Sequence, residues 1–207
     1  RDQVSYVGAV PPAFGKAFRE DYAFAEKVAR LCVLNETLIS FEDDNTLKKF
    51  TENAAFAEPA FFEIFNFSLV SGDAAKMLAE PGAAIISERI AKKFFGDESP
   101  INRTIRFNND IDFKVVGVLK AIPDNTDLRS EIYFSFSNIK QYNEWYGKDD
   151  SWGGISSEMQ TFGKLREDVT PEQVEAVLPG YVTKYRPNSK NVHHYKLQPL
   201  SDMHFNA

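Results

Sequence analysis

The apolar positions near the start of the chain change period as the chain advances. QVSYVGAV (3–10) is a short β-prone run closed by Pro11-Pro12. Proline suits the first turn of a helix, so a helix is predicted to begin there. In PPAFGKAFREDY, Phe14, Phe18 and Tyr22 recur at i, i+4 and i+8, which is one apolar stripe of a helix. EKVARLCVLN (26–35) and TLISFEDD (37–44) alternate quickly in β-branched and apolar residues and predict two strands. Asp43-Asp44-Asn45 predicts a turn, and TLKKFTENAAFAE (46–58) resumes as strand.

The far end repeats this order. EMQTFGKLRE (158–167) predicts a strand with Met159, Thr161, Gly163 and Leu165 alternating. Thr170 then offers an N-cap, Pro171 the first helical position, and Gln173 the partner of a capping box. Val174, Val177, Leu178, Tyr181 and Val182 fall at helical spacing, with Pro179-Gly180 expected to kink or break the helix. HHYKLQPLSDMHF (193–205) predicts a final strand. Each end thus reads β-α-β, and two such units commonly share a sheet. The fold expected is α+β: a lobe built from 1–50 and 155–207, with a mixed α/β lobe, 51–154, inserted between them.

Within the middle segment, Phe61, Phe62, Ile64, Phe65, Phe67 and Leu69 are too dense for a surface helix, and Gly72-Asp73 ends the run in a turn. AAIISE (83–88) predicts a strand, with Ser87 or Glu88 leading into the helix RIAKKFF. Ile90, Ala91, Phe94 and Phe95 form its apolar face, Arg89, Lys92 and Lys93 face water, and Gly96 supplies a left-handed residue after it. TIRFN and DFKVVGVLKAI predict a hairpin with Asn108-Asn109-Asp110 at its tip. IPDNTDL is a turn-rich link, and EIYFSFSNI a further β-rich run.

Composition narrows the function classes. A net charge of −6 with basic residues only in pairs, Lys48-Lys49 and Lys92-Lys93, argues against nucleic acid. No apolar run approaches the ~20 residues needed to cross a bilayer, and no apolar stretch follows a basic start. The sequence therefore reads as soluble, and Arg1 without a Met and the abrupt HFNA read as cut ends of something longer. Cys32 is the only cysteine, so no internal disulfide or cysteine-built zinc site is expected, and its apolar neighbours predict a buried, inert thiol.

Candidate chemistry is sparse. SERIAKKFFGDESPINRTIRF (87–107) lacks the G-x-x-x-x-G-K-[ST] of a phosphate loop, and its Gly96 stands at a helix C-terminus, the wrong end for phosphate. Asp97-Glu98 before Pro100 reads as turn chemistry. His193-His194 are adjacent, and in a strand they would point to opposite faces and not chelate one ion, while His204 stands alone. Glu42-Asp43-Asp44 and Asp149-Asp150 lack a calcium-loop pattern. Neither a nucleophile elbow nor a dinucleotide fingerprint is present. Trp145-Tyr146 and Trp152-Gly153-Gly154 form either an aromatic ligand platform or, the favoured reading, a packed loop. The sequons at Asn35, Asn66 and Asn102 are too short a pattern to carry weight. No catalytic, cofactor-binding or metal residue is assigned, and no cofactor is expected.

FFEIFNFSLVSGD (61–73), EPGAAIISERIAKKFFGDESPINRTIRF (80–107) and FKVVGVLKAIPDNTDL (113–128) stand in an order seen in one family. They resemble the extracytoplasmic core domain of MacB-like ABC transporter permeases, especially the paralogues of Bacteroidetes-type bacteria. KLQPLSDMHF resembles the run that precedes the next membrane helix in those proteins. Asn102 departs from the pattern, which has Gly there; Asn tolerates the left-handed conformation Gly would supply. The resemblance implies a porter-like lobe from the chain ends and an inserted lobe, on the periplasmic side of the inner membrane. It also implies a non-enzymatic role, with ATP hydrolysis on a separate ABC ATPase subunit or domain. The partners implied are transmembrane helices of the same chain, that ATPase, a second permease protomer, and a periplasmic partner or substrate. A free-standing extracellular ligand-binding domain is the alternative.

Overall fold

The computed structural model of the chain describes residues 7–70, 73–120, 128–190 and 192–202. Helix α1 (Phe14–Asp21) leads into strand β1 (Ala25–Asp43), which returns as β2 (Thr46–Ala57). Helices α2 (Ala60–Phe65) and α3 (Ala74–Leu78) precede β3 (Ala83–Ser87) and α4 (Glu88–Phe95). The hairpin of β4 (Thr104–Phe107) and β5 (Ile111–Leu119) follows, then β6 (Ile132–Ser135). A 3-10 turn joins β6 to α5 (Ile139–Tyr142) and α6 (Glu144–Gly147), and β7 (Met159–Leu165) and α7 (Pro171–Tyr185) come next.

Strand neighbours run β2-β6-β3-β5-β4-β1-β7, and β1 also pairs with β2. All strands but β7 therefore close into a ring, and β7 is attached to β1 from outside it. β1 carries this topology by serving three partners. One edge follows β2 from Leu31 to Asp43. The other edge pairs with β7 between Ala25 and Cys32, then with β4 only at Ile39 and Ser40.

The two strands expected at 26–35 and 37–44 are one strand, because a bulge bridges the break in alternation. Leu34 faces Ala54 and Thr37 faces Glu52, so β1 advances one residue more than its partner. Glu36 absorbs the extra residue at φ 50°, the left-handed conformation found in such bulges. Cys32 and Leu34 before the bulge, and Ile39 and Phe41 after it, thereby lie in the same apolar cluster. The two-residue hairpin turn Asp44-Asn45 has paired positive φ values, as such turns require, and so does Asn108-Asn109 within the three-residue tip between Phe107 and Ile111.

The cluster inside the ring includes Phe56, Phe107, Phe113 and Phe134, with α4 contributing Ile90, Phe94 and Phe95. On the outer face, Phe61 and Phe62 of α2 and Leu78 of α3 cover Ala55, Ile85 and Tyr133. A separate cluster joins α1, α7 and the start of β1 through Phe14, Phe18, Val28, Trp152, Val174, Leu178 and Tyr181. The α+β fold expected from sequence is thus present. Position 50/51, expected to divide the lobes, falls within β2.

Several local expectations change. Residues 7–10 and 192–199 form no strand, and a 3-10 turn occupies Leu200–Asp202. Pro11, Pro12 and Pro199 lack an amide to donate to a ladder, and Val10 and Tyr195 pack by side chain against the α1–α7 cluster instead. The remainder of the two terminal strands, most of the 122–128 link, Gly72 and His204 lie outside the described residues. Helix α7 runs unbroken through Pro179-Gly180, started by the predicted Thr170–Gln173 capping box. The buried Val174, Leu178 and Tyr181 hold it on both sides of the proline. Gly96 has the expected positive φ of 63°, but its ψ of −122° takes it out of the left-handed helical well.

Asn102 sits at φ 68°, as its place in the family pattern implied. Asn102→Gly is therefore expected to leave stability within a few tenths of a kcal/mol. Asn102→Val should cost about 1–2 kcal/mol, because a β-branched side chain crowds the following carbonyl there. Urea denaturation of the two variants checks the difference.

Candidate functional site

The residues that the sequence singled out have structural roles in the fold. Trp152 is buried, stacked on Tyr185 with ring centroids 4.0 Å apart and planes 3° apart, and close to Tyr181 at 5.6 Å. Tyr146 is buried and donates to Glu158 at 2.6 Å, with Ser156 2.9 Å from its hydroxyl. Trp152 and Tyr146 are packed, but Tyr146 stands in the short helix α6 and not in a loop, and its neighbour Trp145 is half-buried. Cys32 is fully buried, and burial with the nearby Glu158 charge pushes its thiol pKa far up, so the thiolate that reactive chemistry needs is disfavoured. His193 donates to or accepts from the Tyr195 hydroxyl at 3.5 Å, and desolvation lowers its pKa. Since 193–194 is not a strand, the opposite-face argument against chelation does not apply there. Among the described residues no group of three or more His, Cys, Asp or Glu is placed to hold a metal ion. Lys92 pairs with Asp97, which lowers the Asp97 pKa, and Arg103 pairs with Glu98 at 2.9 Å. The acids after α4 are turn and ion-pair residues, as expected.

The charges that matter most are ones the sequence did not single out. Glu58, the residue after β2, is only 8% exposed. It accepts from Arg19 of α1 at 2.7 and 2.8 Å, and from Arg30 of β1 at 2.7 and 3.0 Å. The Arg30 backbone amide adds a further bond at 2.9 Å. Burial alone would raise the Glu58 pKa, but the hydrogen bonds and charges of Arg19 and Arg30 outweigh it, so the pKa is lowered. The Arg30 guanidinium also lies over the Phe136 ring at 4.5 Å. One carboxylate therefore ties α1, β1 and β2 together where the chain-end cluster meets the ring. Its sequence signal was available: a lone arginine inside the apolar run VARLCVL needs a buried partner.

A second clamp sits on the ring itself. Glu52 is 7% exposed and accepts from Lys93 at 2.5 Å and Arg89 at 3.1 Å. Arg89 also donates to Glu131 at 2.8 Å. Of the three cations expected to face water on α4, only Lys92 pairs with an exposed acid alone. Arg89 and Lys93 fold back and fasten the helix over Glu52, with Lys93 5.2 Å from the Phe50 ring centre.

The larger groove follows the ring's weakest seam. Beyond Ser40 and Arg106 the ladder between β1 and β4 stops, leaving a hollow of about 280 Å³ lined by Phe41, Glu42, Leu47, Arg103, Arg106 and Asp112. Arg106 and Asp112 satisfy each other through two bonds of 2.6 and 3.0 Å, and Arg103 is shared by Glu98 and Asp43. The arrangement offers internally paired contacts.

With its folded pKa below the unfolded one, Glu58 contributes stability that is complete above the ordinary carboxylate range. That contribution disappears as pH falls through the folded value. Glu58→Gln is therefore expected to destabilise the protein by about 3 kcal/mol at neutral pH, since it strands two arginines. The gap to wild type should close in acid, and denaturant titrations at pH 7 and pH 3 measure it. Gly15 gives a second check: a Cβ there would stand 2.7 Å from Arg30 Cγ and 3.0 Å from Thr161 Oγ1. Gly15→Ala, normally favourable in a helix by up to ~1 kcal/mol, should instead lower stability by about 1–3 kcal/mol through overpacking. Thermal melts of this variant show the sign directly.

Comparison with known proteins points the same way. The family model for the MacB-like periplasmic core domain matches residues 3–181. Among solved structures, a domain assigned to a permease protein of Porphyromonas gingivalis superposes with TM-score 0.69 at 21% identity, covering 86% of this chain and 72% of that one. The periplasmic region of MacB from Actinobacillus actinomycetemcomitans gives TM-score 0.61 at 18% identity, over 84% and 73% of the two chains. The extracellular domain of the noncanonic ABC-type transporter YknZ from Gram-positive bacteria gives 0.58 at 15% identity, over 93% and 90%. No curated protein sequence matches the chain.

Proposed function

The chain belongs to the MacB-like periplasmic core domain family, and on that premise we propose that it transmits motion from membrane helices to a substrate or partner outside the inner membrane. It is the periplasmic domain of a MacB-like ABC transporter permease. Among its described residues no helix is long and apolar enough to cross a membrane. In the proposed arrangement, such helices flank the domain in the full protein, and an ABC ATPase powers them from the cytoplasm.

The observation that carries this reading is the meeting of the two ends. Phe14 near the start packs against Tyr195 near the end, ring centroids 5.3 Å apart, and against Tyr181 of α7 at 5.2 Å. A domain hung from two helices needs its points of attachment side by side, so that a change between the helices enters at one place. The Glu58 clamp then joins α1 to the ring. The lobes proposed from sequence, 1–50 with 155–207 and the inserted 51–154, would be the base and the arm of this device. A second permease protomer and a periplasmic partner remain part of the proposal.

The gene supplies a direct test. Coding sequence on each side of residues 1–207 is expected to specify an apolar helix of ~20 residues, with an ATPase gene or domain adjoining. In vesicles holding the full permease and its ATPase, Arg19→Ala is expected to reduce substrate export at least several-fold while ATP hydrolysis continues. A gene with neither flanking helices nor ATPase, or unchanged export from the folded variant, overturns the reading.

A further inference from the structure

The seam groove is the larger hollow, but its arginines are paired within the protein, and nothing in it points to a ligand. A smaller cavity of about 90 Å³ does carry such a sign. It lies on the outer face of the ring, walled by Leu31, Val33 and Leu128, with Arg129, Ser130, Tyr133 and Gln160 as polar lining. The strand register brings the lining together. Ala55 of β2 stands between Tyr133 of β6 and Val33 of β1, while Gln160 of β7 pairs beside Leu31.

Tyr133 is 0% exposed, and its hydroxyl has no hydrogen-bond partner among the described residues. The buried Gln160 Oε1 likewise has none. One group is a donor and the other an acceptor, yet they do not bond to each other across the cavity that both line. A buried polar group left unmatched is costly, so both call for a molecule that accepts from one side and donates to the other. Ser130 does not supply it, because its hydroxyl donates to the Ala54 carbonyl at 3.3 Å.

We propose that this cavity is an internal hydration site, in which ordered water accepts from the Tyr133 hydroxyl and donates to Gln160 Oε1. Sites for small metabolites run to roughly 300–1,000 Å³, well above this volume. The space matches about three water molecules at their liquid volume. The water bridges β6 to β7, which have no ladder with each other, over β2 and β1. The outer face of the ring is therefore joined to its attached strand partly through solvent, while the Glu58 clamp joins α1 to it directly.

Tyr133→Phe keeps the shape and removes only the hydroxyl, so the variant tests occupancy without emptying the core. If water fills the site, the variant loses one hydrogen bond, and its melting temperature stays level or falls by up to about 2–4 °C. A dry cavity predicts a rise, because an unsatisfied buried hydroxyl is deleted; that rise overturns the proposal. A crystal structure of the wild type fine enough to place water gives the independent reading. Density bridging Tyr133 and Gln160 supports the site. A dry hollow, a direct Tyr133–Gln160 bond, or a side chain of this chain in the space overturns it.

Discussion

One strand has to satisfy three neighbours, and the architecture depends on its doing so without turning its apolar face outward. β1 borders β2 along one edge and divides the other between β7 and β4. A regular 19-residue strand with this sequence would send Ile39 and Phe41 to the side opposite Cys32 and Leu34, because strand side chains alternate strictly. The extra residue at Glu36 restores the face. Ring closure through β4 and β2, the aromatic filling of the ring and the outward register of Ala55 all follow from that correction. A strained backbone position at one exposed residue is thus offset by burial along the rest of the strand.

Two buried carboxylates do the fastening that the apolar clusters cannot. Apolar packing is non-directional, so it lets a helix slide or rotate over a sheet at modest cost. Glu58 with Arg19 and Arg30, and Glu52 with Arg89 and Lys93, are directional, with the carboxylates buried and Arg19, Arg89 and Lys93 still partly in water. Such pairs add little net stability when compared with apolar replacements, but breaking one by removing a partner is expensive. Their worth lies in fixing where α1 and α4 sit. The close approach of Gly15 to Arg30 belongs to the same design, since a clamped guanidinium cannot retreat from a larger side chain.

Much of this was legible in the sequence, and the failures have physical causes. Hairpins, the capped helices α4 and α7, the buried thiol and the left-handed Asn102 were readable because each depends on residues within a few positions. The single long β1 was not, since a bulge breaks the period that a strand is recognised by. The terminal runs 7–10 and 192–199 have β-prone composition, yet prolines and side-chain packing compete with a ladder there. Arg89 and Lys93 are exposed, as assigned, but helical periodicity cannot show that a strand distant in sequence offers them Glu52. For the same reason the Glu58 clamp went unseen, although Arg30 inside an apolar strand was its visible half. Tyr133 and Gln160 lie far apart in sequence, and only register sets them around one cavity.

The scarcity of reaction chemistry and the abundance of internally paired charge have a common explanation in the proposed role. A body that carries displacement must resist bending between its attachment and its tip. β1 spans up to about 60 Å at the usual rise per residue, from the aromatic cluster where the chain ends meet to the hairpin beyond the seam. β2 braces one of its edges from Leu31 to Asp43. The seam is the compliant place in this frame, because β4 grips β1 at only two residues. In the proposed role, bending that enters at α1 would pass along β1, and the Arg103 and Arg106 ion pairs around the seam would limit how far the ring opens there.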